Sequence, residues 1–425
     1  MLEYVESSIS MILLKTKMQS RNVLILTILL TSCLMGVSSD IYAPSLSMIA
    51  TDLKTPIDMV QWSMAIFMLG VSLSQLIYGP VSEVVGRRLP LIIGLGIMLI
   101  GSIVCFYTTN ITVLIVSRFV QGLGAGAGAC MWRSIFRDSF DSTQMAKYGS
   151  FLSIIMIFVV AAAPALGGCL QGYFGWRSSF LFLILYSLLT IIIVLFLFKE
   201  TSLHHHRDRF NRQFFLHAFG QLISSRTFMG YTLCTFLTYG AFFSWFAIGP
   251  VLLIEDIGLN PITFGWITLF GGGTSMALGG VFNGIMIGRF GMHFMLRLGW
   301  FIMIIAGSLM ILFKLIYGIT TFAIVAPMIL FYFGVTLIWP SAFAGAFAGA
   351  FAPFGKIAGY AGALYSFMQI GGAAVIGSLG SFLPTTSQIP LATIFLVASA
   401  LAWIAFEKIV LGDVRPQQNQ TADQG

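Results

Sequence analysis

Charge is what this sequence has least of. Its 425 residues include 22 basic and 15 acidic side chains, 9% of the chain, where an ordinary soluble domain carries roughly 25%. So few charges cannot coat a water-soluble body of this length. A soluble enzyme, a disordered chain and a coiled coil are excluded. Cysteine is scarce too, and Cys33, Cys105, Cys130, Cys169 and Cys234 all fall in apolar runs. There the thiol packs as a small hydrophobe, so neither a disulfide nor a metal site is expected. The glycine-rich stretches 122–128 and 271–273 lack a following Lys-Ser/Thr pair. ATP on this chain is therefore not the expected energy source. No Ser, His and Asp set suggests hydrolysis, so no catalytic residue is assigned and the chain is not read as an enzyme. The first 20 residues lack the long apolar core and small-residue cleavage site of a secretory signal.

What is present is apolar. Hydrophobic residues make up 58% of the chain, mean hydropathy is +0.94, and there are 39 Phe and 45 Gly. Spanning a bilayer takes ~20 apolar residues. The charge-free runs, split at their turns, predict twelve helices, at about 22–46, 59–80, 89–107, 111–132, 146–170, 177–198, 227–250, 262–284, 295–316, 321–345, 358–382 and 390–410. Nothing alternates with the period of a β-barrel strand. The expected fold is an all-α polytopic membrane protein with twelve transmembrane helices in two six-helix bundles.

Basic residues set the expected orientation. With both termini cytoplasmic, 18 of the 22 basic residues lie inside, among them Arg87, Arg88, Arg133 and Arg137. Lys54, Arg177 and Lys314 lie outside, and Arg118 lies within a helix. The positive charge is thus a topology signal, and no nucleic-acid partner is expected. The chain divides into a cytoplasmic tail at 1–21, a bundle at 22–198, a cytoplasmic linker at 199–226, a second bundle at 227–410 and a tail at 411–425. Within the linker, Phe210, Phe214, Phe215, Leu216, Phe219, Leu222 and Ile223 recur near helical spacing, which predicts an amphipathic helix on the inner membrane surface. The His204–His206 run has no carboxylate or cysteine to complete a ligand set, so it reads as solvated loop.

The halves echo each other. Pro44 corresponds to Pro250, Gly167-Gly168 to Gly371-Gly372, and the loop ending in Arg88 to the one holding Arg289. The near-constant offset suggests a duplicated six-helix unit, which places a binding site at the bilayer midplane between the repeats.

Two ionisable residues fall deep in spans. Asp40 sits in the outer half of span 1, where a charge costs several kcal/mol unless it is paired or faces water. Pro44 cannot donate to the carbonyl of residue 40, so the helix is expected to bend there. Arg118 lies in span 4 before the small-residue stretch 122–129. It either reaches Asp40, points into a cavity, or snorkels outward. Tyr239, Phe243, Trp245 and Phe246 in span 7, with Phe333, Trp339 and Phe343 in span 10, offer an aromatic cavity wall.

Four local signatures resemble the major facilitator superfamily, over nearly the whole chain. Gly79-Pro80-Val81-Ser82-Glu83-Val84-Val85-Gly86-Arg87-Arg88 resembles its hallmark loop between spans 2 and 3. Asp40-Ile41-Tyr42-Ala43-Pro44-Ser45-Leu46 resembles the span 1 signature of drug:proton antiporters. Arg118-Phe119-Val120-Gln121-Gly122 resembles the span 4 basic motif. Ala163-Pro164-Ala165-Leu166-Gly167-Gly168 resembles the antiporter motif of span 5. Arg133-Ser134-Ile135-Phe136-Arg137-Asp138, Gly175-Trp176-Arg177 and Ala352-Pro353-Phe354-Gly355 further resemble the Bcr/CflA drug-resistance subfamily. The hallmark loop departs from the usual Asp-Arg at Glu83-Val84, and Ser32 stands where some multidrug relatives carry a second acid.

The resemblance implies proton-coupled efflux of small lipophilic compounds across a bacterial inner membrane, by a monomer, with no cofactor beyond the proton gradient. The alternative in the same fold is export of an endogenous metabolite such as a siderophore or amino acid. Asp40 is then the expected proton-coupling carboxylate and Arg118 the cation that tunes it. Tyr42, Gln121, Tyr239, Phe243, Trp245, Phe333 and Trp339 are the expected substrate-cavity residues. Gly79, Glu83, Gly86, Arg87 and Arg88 form a gate that latches the two halves in the outward-facing state.

Overall fold

The computed structural model describes residues 20–202, 212–354, 357–383 and 387–412. Helix α1 (Arg21–Asp40) ends on the aspartate itself. The chain then turns at Ile41-Tyr42, makes a 3-10 segment at Ala43–Ser45 and resumes as a helix over Leu46–Asp52. The missing N–H of Pro44 accounts for this break. The first set continues with α2 (Ile57–Val85), α3 (Arg88–Tyr107), α4 (Ile111–Ser139), α5 (Ser142–Phe174) and α6 (Arg177–Phe196). Side-chain caps start two of them. Asn110 accepts from the Thr112 N–H at 2.8 Å, and Asp141 from the Gln144 N–H at 2.8 Å.

After a linker helix (Arg212–Ser224) come α7 (Arg226–Pro250), α8 (Pro261 to Phe290), α9 (Met292–Tyr317), α10 (Thr321–Phe354), α11 (Ala358–Phe382) and α12 (Ile389–Ala405). Eleven of the described helices are long and apolar enough to cross a membrane. The expected eighth span is the α8 run. A π-turn at Thr268–Gly273 divides it into pieces of 7, 6 and 17 residues, each too short by itself. Among the described residues there is no strand.

Small residues decide how closely the helices meet. A Cβ at Gly122 would strike the Phe67 carbonyl of α2, and one at Gly124 the backbone of α3 at Met98. A Cβ at Gly128 would strike the Thr31 carbonyl of α1. The glycine stretch of α4 thus touches three helices, each backbone to backbone, where dispersion rather than hydrophobic expulsion supplies the cohesion in lipid. The repeat is visible in the same terms. Gly167 of α5 lies on the Ile41 carbonyl at the end of α1, and Gly372 of α11 lies on the Phe236 carbonyl of α7.

The outer face is apolar: Ile100 is 60% exposed and Ile285 65%. A patch of this kind suits lipid. The five cysteines are free thiols. In the linker helix, Ala218 and Leu222 are buried and Phe219 meets the Tyr360 ring edge-on at 6.0 Å. This helix therefore docks on the start of α11, where sequence periodicity expected only a membrane-surface position. The His204–His206 run lies outside the described residues.

Candidate functional site

The turns after α2 and α4 and the linker share one end of the bundle, hereafter the basic end. The turns after α1, α3 and α5 share the far end. Between the halves lies a cavity of about 330 Å³, lined in part by Asp40, Tyr239, Phe242, Phe243, Tyr332 and Trp339. A second space of about 440 Å³ runs from it toward the basic end, past Glu83, Arg137 and Met145. Gln75, Trp132, Arg133, Met156 and Ser366 line both, so the two form one continuous passage.

The halves pack tightly at the far end. A Cβ at Gly168 of α5 would overlap the Pro261 carbonyl of α8, and one at Gly265 would crowd the Pro164 carbonyl. Gln61 Nε2 of α2 donates to the Ala247 carbonyl of α7 at 2.8 Å. Nearer the basic end α8 moves away: a Cβ at Gly280, Gly284 or Gly288 would meet nothing within 4 Å. There α2 and α11 stay in contact. Ser72 Oγ donates to the Phe367 carbonyl at 2.7 Å, Gly79 faces Ala363, and the Glu83 carboxylate lies against Gly359.

Asp40 is 5% exposed and accepts a short hydrogen bond from Ser39 Oγ. It has no ion pair among the described residues, and the hydroxyls of Tyr239 and Tyr332 feel its charge. The Tyr332 hydroxyl and Trp339 Nε1 are buried without a hydrogen-bond partner in the structure. Such groups are costly to leave unpaired inside a fold. In this wall they are positioned to meet a ligand or water. Phe242 ties the wall together, with ring contacts to Tyr332 at 5.0 Å, Trp339 at 5.1 Å and Phe246 at 5.5 Å.

Arg118 takes none of the three positions expected of it. It is fully buried, makes no ion pair with Asp40 and lines neither space. Its guanidinium donates to the Ser38 carbonyl at 3.2 Å and to Gln121 Oε1, and sits 4.1 Å over the Phe67 ring and 4.8 Å over Tyr42. It grips the backbone and ring on either side of Asp40, not the carboxylate. Gln121 is consumed by Arg118 and by Ser102 Oγ at 2.7 Å. Tyr42 shares a 2.9 Å hydrogen bond with Ser63 and packs on Phe180.

Neither Gln121 nor Tyr42 faces the cavity. Nor does Trp245, stacked on Phe264 at 6.2 Å, or Phe333, packed on Phe282 of α8 at 5.6 Å. Tyr239, Phe243 and Trp339 are where the sequence put them. Helical phase on α7 and α10 separates the two groups, and amino-acid type does not report it. Phe242 and Tyr332 were missed for the same reason, as were Gln75 of α2 and Gln369 of α11, whose helical phase is equally invisible in sequence.

The hallmark loop is also divided. Gly86 has φ 93, a conformation that suits glycine, and its missing side chain leaves room for Glu200. The Glu200 carboxylate accepts from the backbone N–H of Arg87 at 2.8 Å and Arg88 at 2.9 Å, and so caps α3. Burial disfavours its charge. The N–H groups of Arg87, Arg88, Ser202 and Thr201 outweigh that and hold the carboxyl below the ordinary glutamate range. Nothing in the sequence pattern marked this residue.

Arg87 pairs with Asp138 at 2.9 Å and Arg88 donates to the Val194 and Leu195 carbonyls. Both arginines thus stay in the first half. Gly79 and Glu83 of this loop lie against the second half while the far end is packed. Pro164 lines the cavity, whereas Gly167 and Gly168 lie against the backbone of Ile41 and Pro261.

A cavity between two similar six-helix bundles, with one carboxylate beside an aromatic wall, defines a secondary-transporter architecture. Residues 28–376 match the Major Facilitator Superfamily family model, and the chain belongs to that family. It is 30% identical over 374 residues to YdgK of Bacillus subtilis, an uncharacterized MFS-type transporter, covering 86% of this chain and 90% of that one. It is 30% identical over 376 residues to multidrug resistance protein D of Escherichia coli, covering 87% and 91%. The solved structure of the E. coli xylose transporter XylE, in a partially occluded inward open conformation, superposes with a TM-score of 0.69 at 14% identity. That match covers 91% of this chain and 97% of that one.

Proposed function

We propose that this protein exports small lipophilic compounds in exchange for protons, by alternating access. The observation that carries the reading is Asp40, a carboxylate without a cation partner among the described residues, on the wall of an aromatic cavity between the halves. A charge so placed is costly unless it exchanges a proton or meets a ligand. Proton and substrate then compete for one site. The break after Asp40 lets this point of α1 move when the halves rock. The relative named multidrug resistance protein D supports a drug-type substrate.

In this reading the basic end faces the cytoplasm of a bacterial inner membrane, with both termini on that side. The packed far end and the passage toward the basic end describe an inward-facing conformer. A monomer suffices, since the cavity is built by one chain. The proton gradient is the energy source, no cofactor is needed, and no bond of the substrate is made or broken.

The test is dye transport in proteoliposomes under an imposed pH gradient. Asp40→Asn is expected to abolish uphill movement while leaving downhill exchange measurable. Uphill transport by that variant at the wild-type rate would remove Asp40 from the coupling role.

A further inference from the structure

We infer that Arg133 is the recognition point for an anionic group on the substrate, so that the preferred substrates are aromatic amphoteric compounds. The inference rests on the export reading above and names the substrate class of the same cavity.

Sequence placed Arg133 in a loop, because the charge-free run ends at residue 132. The structure carries α4 on to Ser139, which puts the arginine inside the helix. Protein surrounds the guanidinium, yet its surface is exposed because it opens into the passage. It lies 5.1 Å from the Trp132 ring and 5.8 Å from the Phe343 ring. Other arginines of the bundle are committed: Arg87 to Asp138, Arg118 to Ser38 and Gln121, Arg177 to Asp52, Arg297 to Glu407. Among the described residues Arg133 has neither an ion pair nor a hydrogen bond.

A guanidinium offers five N–H donors in a planar fork that fits a carboxylate. Here it stands where two cavities join. Arg133, Asp40 and Tyr239 line the same cavity. Trp339 Nε1 adds a buried donor without a partner to the same wall. Arg133 and Trp339 Nε1 thus complement acceptors on a ligand, and Asp40 a basic group. A flat aromatic body can stack among Tyr239, Phe242 and Trp339, with an acidic group on Arg133 and a basic group on Asp40. Only the basic group displaces the coupling proton, so exchange is preserved. A buried charge-assisted pair contributes about 1.5–3 kcal/mol, which is roughly a 10- to 150-fold change in affinity.

Rhodamine 110 carries a free carboxylate, and rhodamine 123 is its methyl ester. Both are loaded in proteoliposomes and their KM values for pH-driven transport compared. Wild-type protein is expected to favour rhodamine 110. Arg133→Gln is expected to raise the KM ratio of rhodamine 110 to rhodamine 123 by about tenfold or more. Arg133→Lys, which keeps the charge and loses the fork, is expected to fall between. Because each variant is read as a ratio, a change in the amount of folded protein cancels.

An unchanged ratio in both variants overturns the assignment. So does a wild-type protein that moves rhodamine 123 and not rhodamine 110, a result that leaves the export reading standing. If the wild type moves neither dye uphill, both readings fall together.

Discussion

Gly167 and Gly168 are adjacent on α5, yet the same substitution is expected to have opposite consequences at the two. A Cβ at Gly168 overlaps the Pro261 carbonyl of the other half. Overpacking costs ~1–3 kcal/mol. The obstacle here is backbone and cannot rotate away, so the upper end applies. The helix-propensity gain of about 1 kcal/mol is common to both conformers and cancels between them. The ~3 kcal/mol falls only on the conformer in which α5 and α8 touch, and shifts the population about 150-fold toward a separated far end.

At Gly167 the overlap is with the Ile41 carbonyl, inside the first half. Gly167→Ala therefore destabilises that half in every conformer. The assay is labelling of a Phe243→Cys reporter, with the five native cysteines replaced, by an impermeant thiol reagent added at the far end. Gly168→Ala is expected to label much faster than its parent. Gly167→Ala is expected to label at the parental rate with a lower yield of folded protein. Equal labelling rates in the two variants would refute the assignment of Gly168 to a state-dependent contact.

Glu200→Gln is expected to lower the melting temperature at pH 7 by removing the cap on α3. The loss is at most about 1 kcal/mol, because the carboxylate is only partly buried and water screens it. The folded carboxyl lies below its ordinary range, so its contribution is present above the unfolded value of about 4.3 and is lost as pH falls through the folded one. The melting difference between the two proteins is thus expected to close below about pH 4.3; a difference that widens there would contradict the cap. Arg118→Ala removes the donor to the Ser38 carbonyl and Gln121 Oε1, and a loss of about 2–4 kcal/mol is expected, read as reduced yield. Arg118→Lys is expected to recover little, since the flat stack over Phe67 is lost. Gly86→Ala forces a side chain into a left-handed turn against Glu200 and is expected to weaken the same junction, as measured by melting.

Much of the architecture was legible before any coordinates. A helix in lipid must satisfy its own backbone, so runs of apolar residues between charges report spans almost directly. The predicted starts of α3, α4, α6, α10 and α11 fall within a residue of the observed ones. The ends of α4 and α10 were drawn short, since each continues past the point where hydropathy drops. Asp40 was legible for the same reason: an acid far inside an apolar span is rare. The glycines of α4 and α5 announced close crossings, because small residues are what such crossings require.

Partnership was not legible. Arg118 and Asp40 fall in neighbouring motifs, and their opposite charges suggested a pair. The tertiary structure instead gives Arg118 a carbonyl, an amide and two rings. Aromatic residues on α7 and α10 looked alike in sequence, yet a rotation of about 100° per residue sends Phe243 to the cavity and Trp245 to Phe264. Glu200, 112 residues from Arg88, became its cap only because α6 returns the chain to the start of α3. Arg133 was assigned to water by its charge and belongs to the cavity by its helix. Hydropathy reports whether a residue can lie in lipid, a local property of the side chain. Which neighbour it meets depends on helix phase and on the packing of segments far apart in the chain, and only the folded bundle determines those.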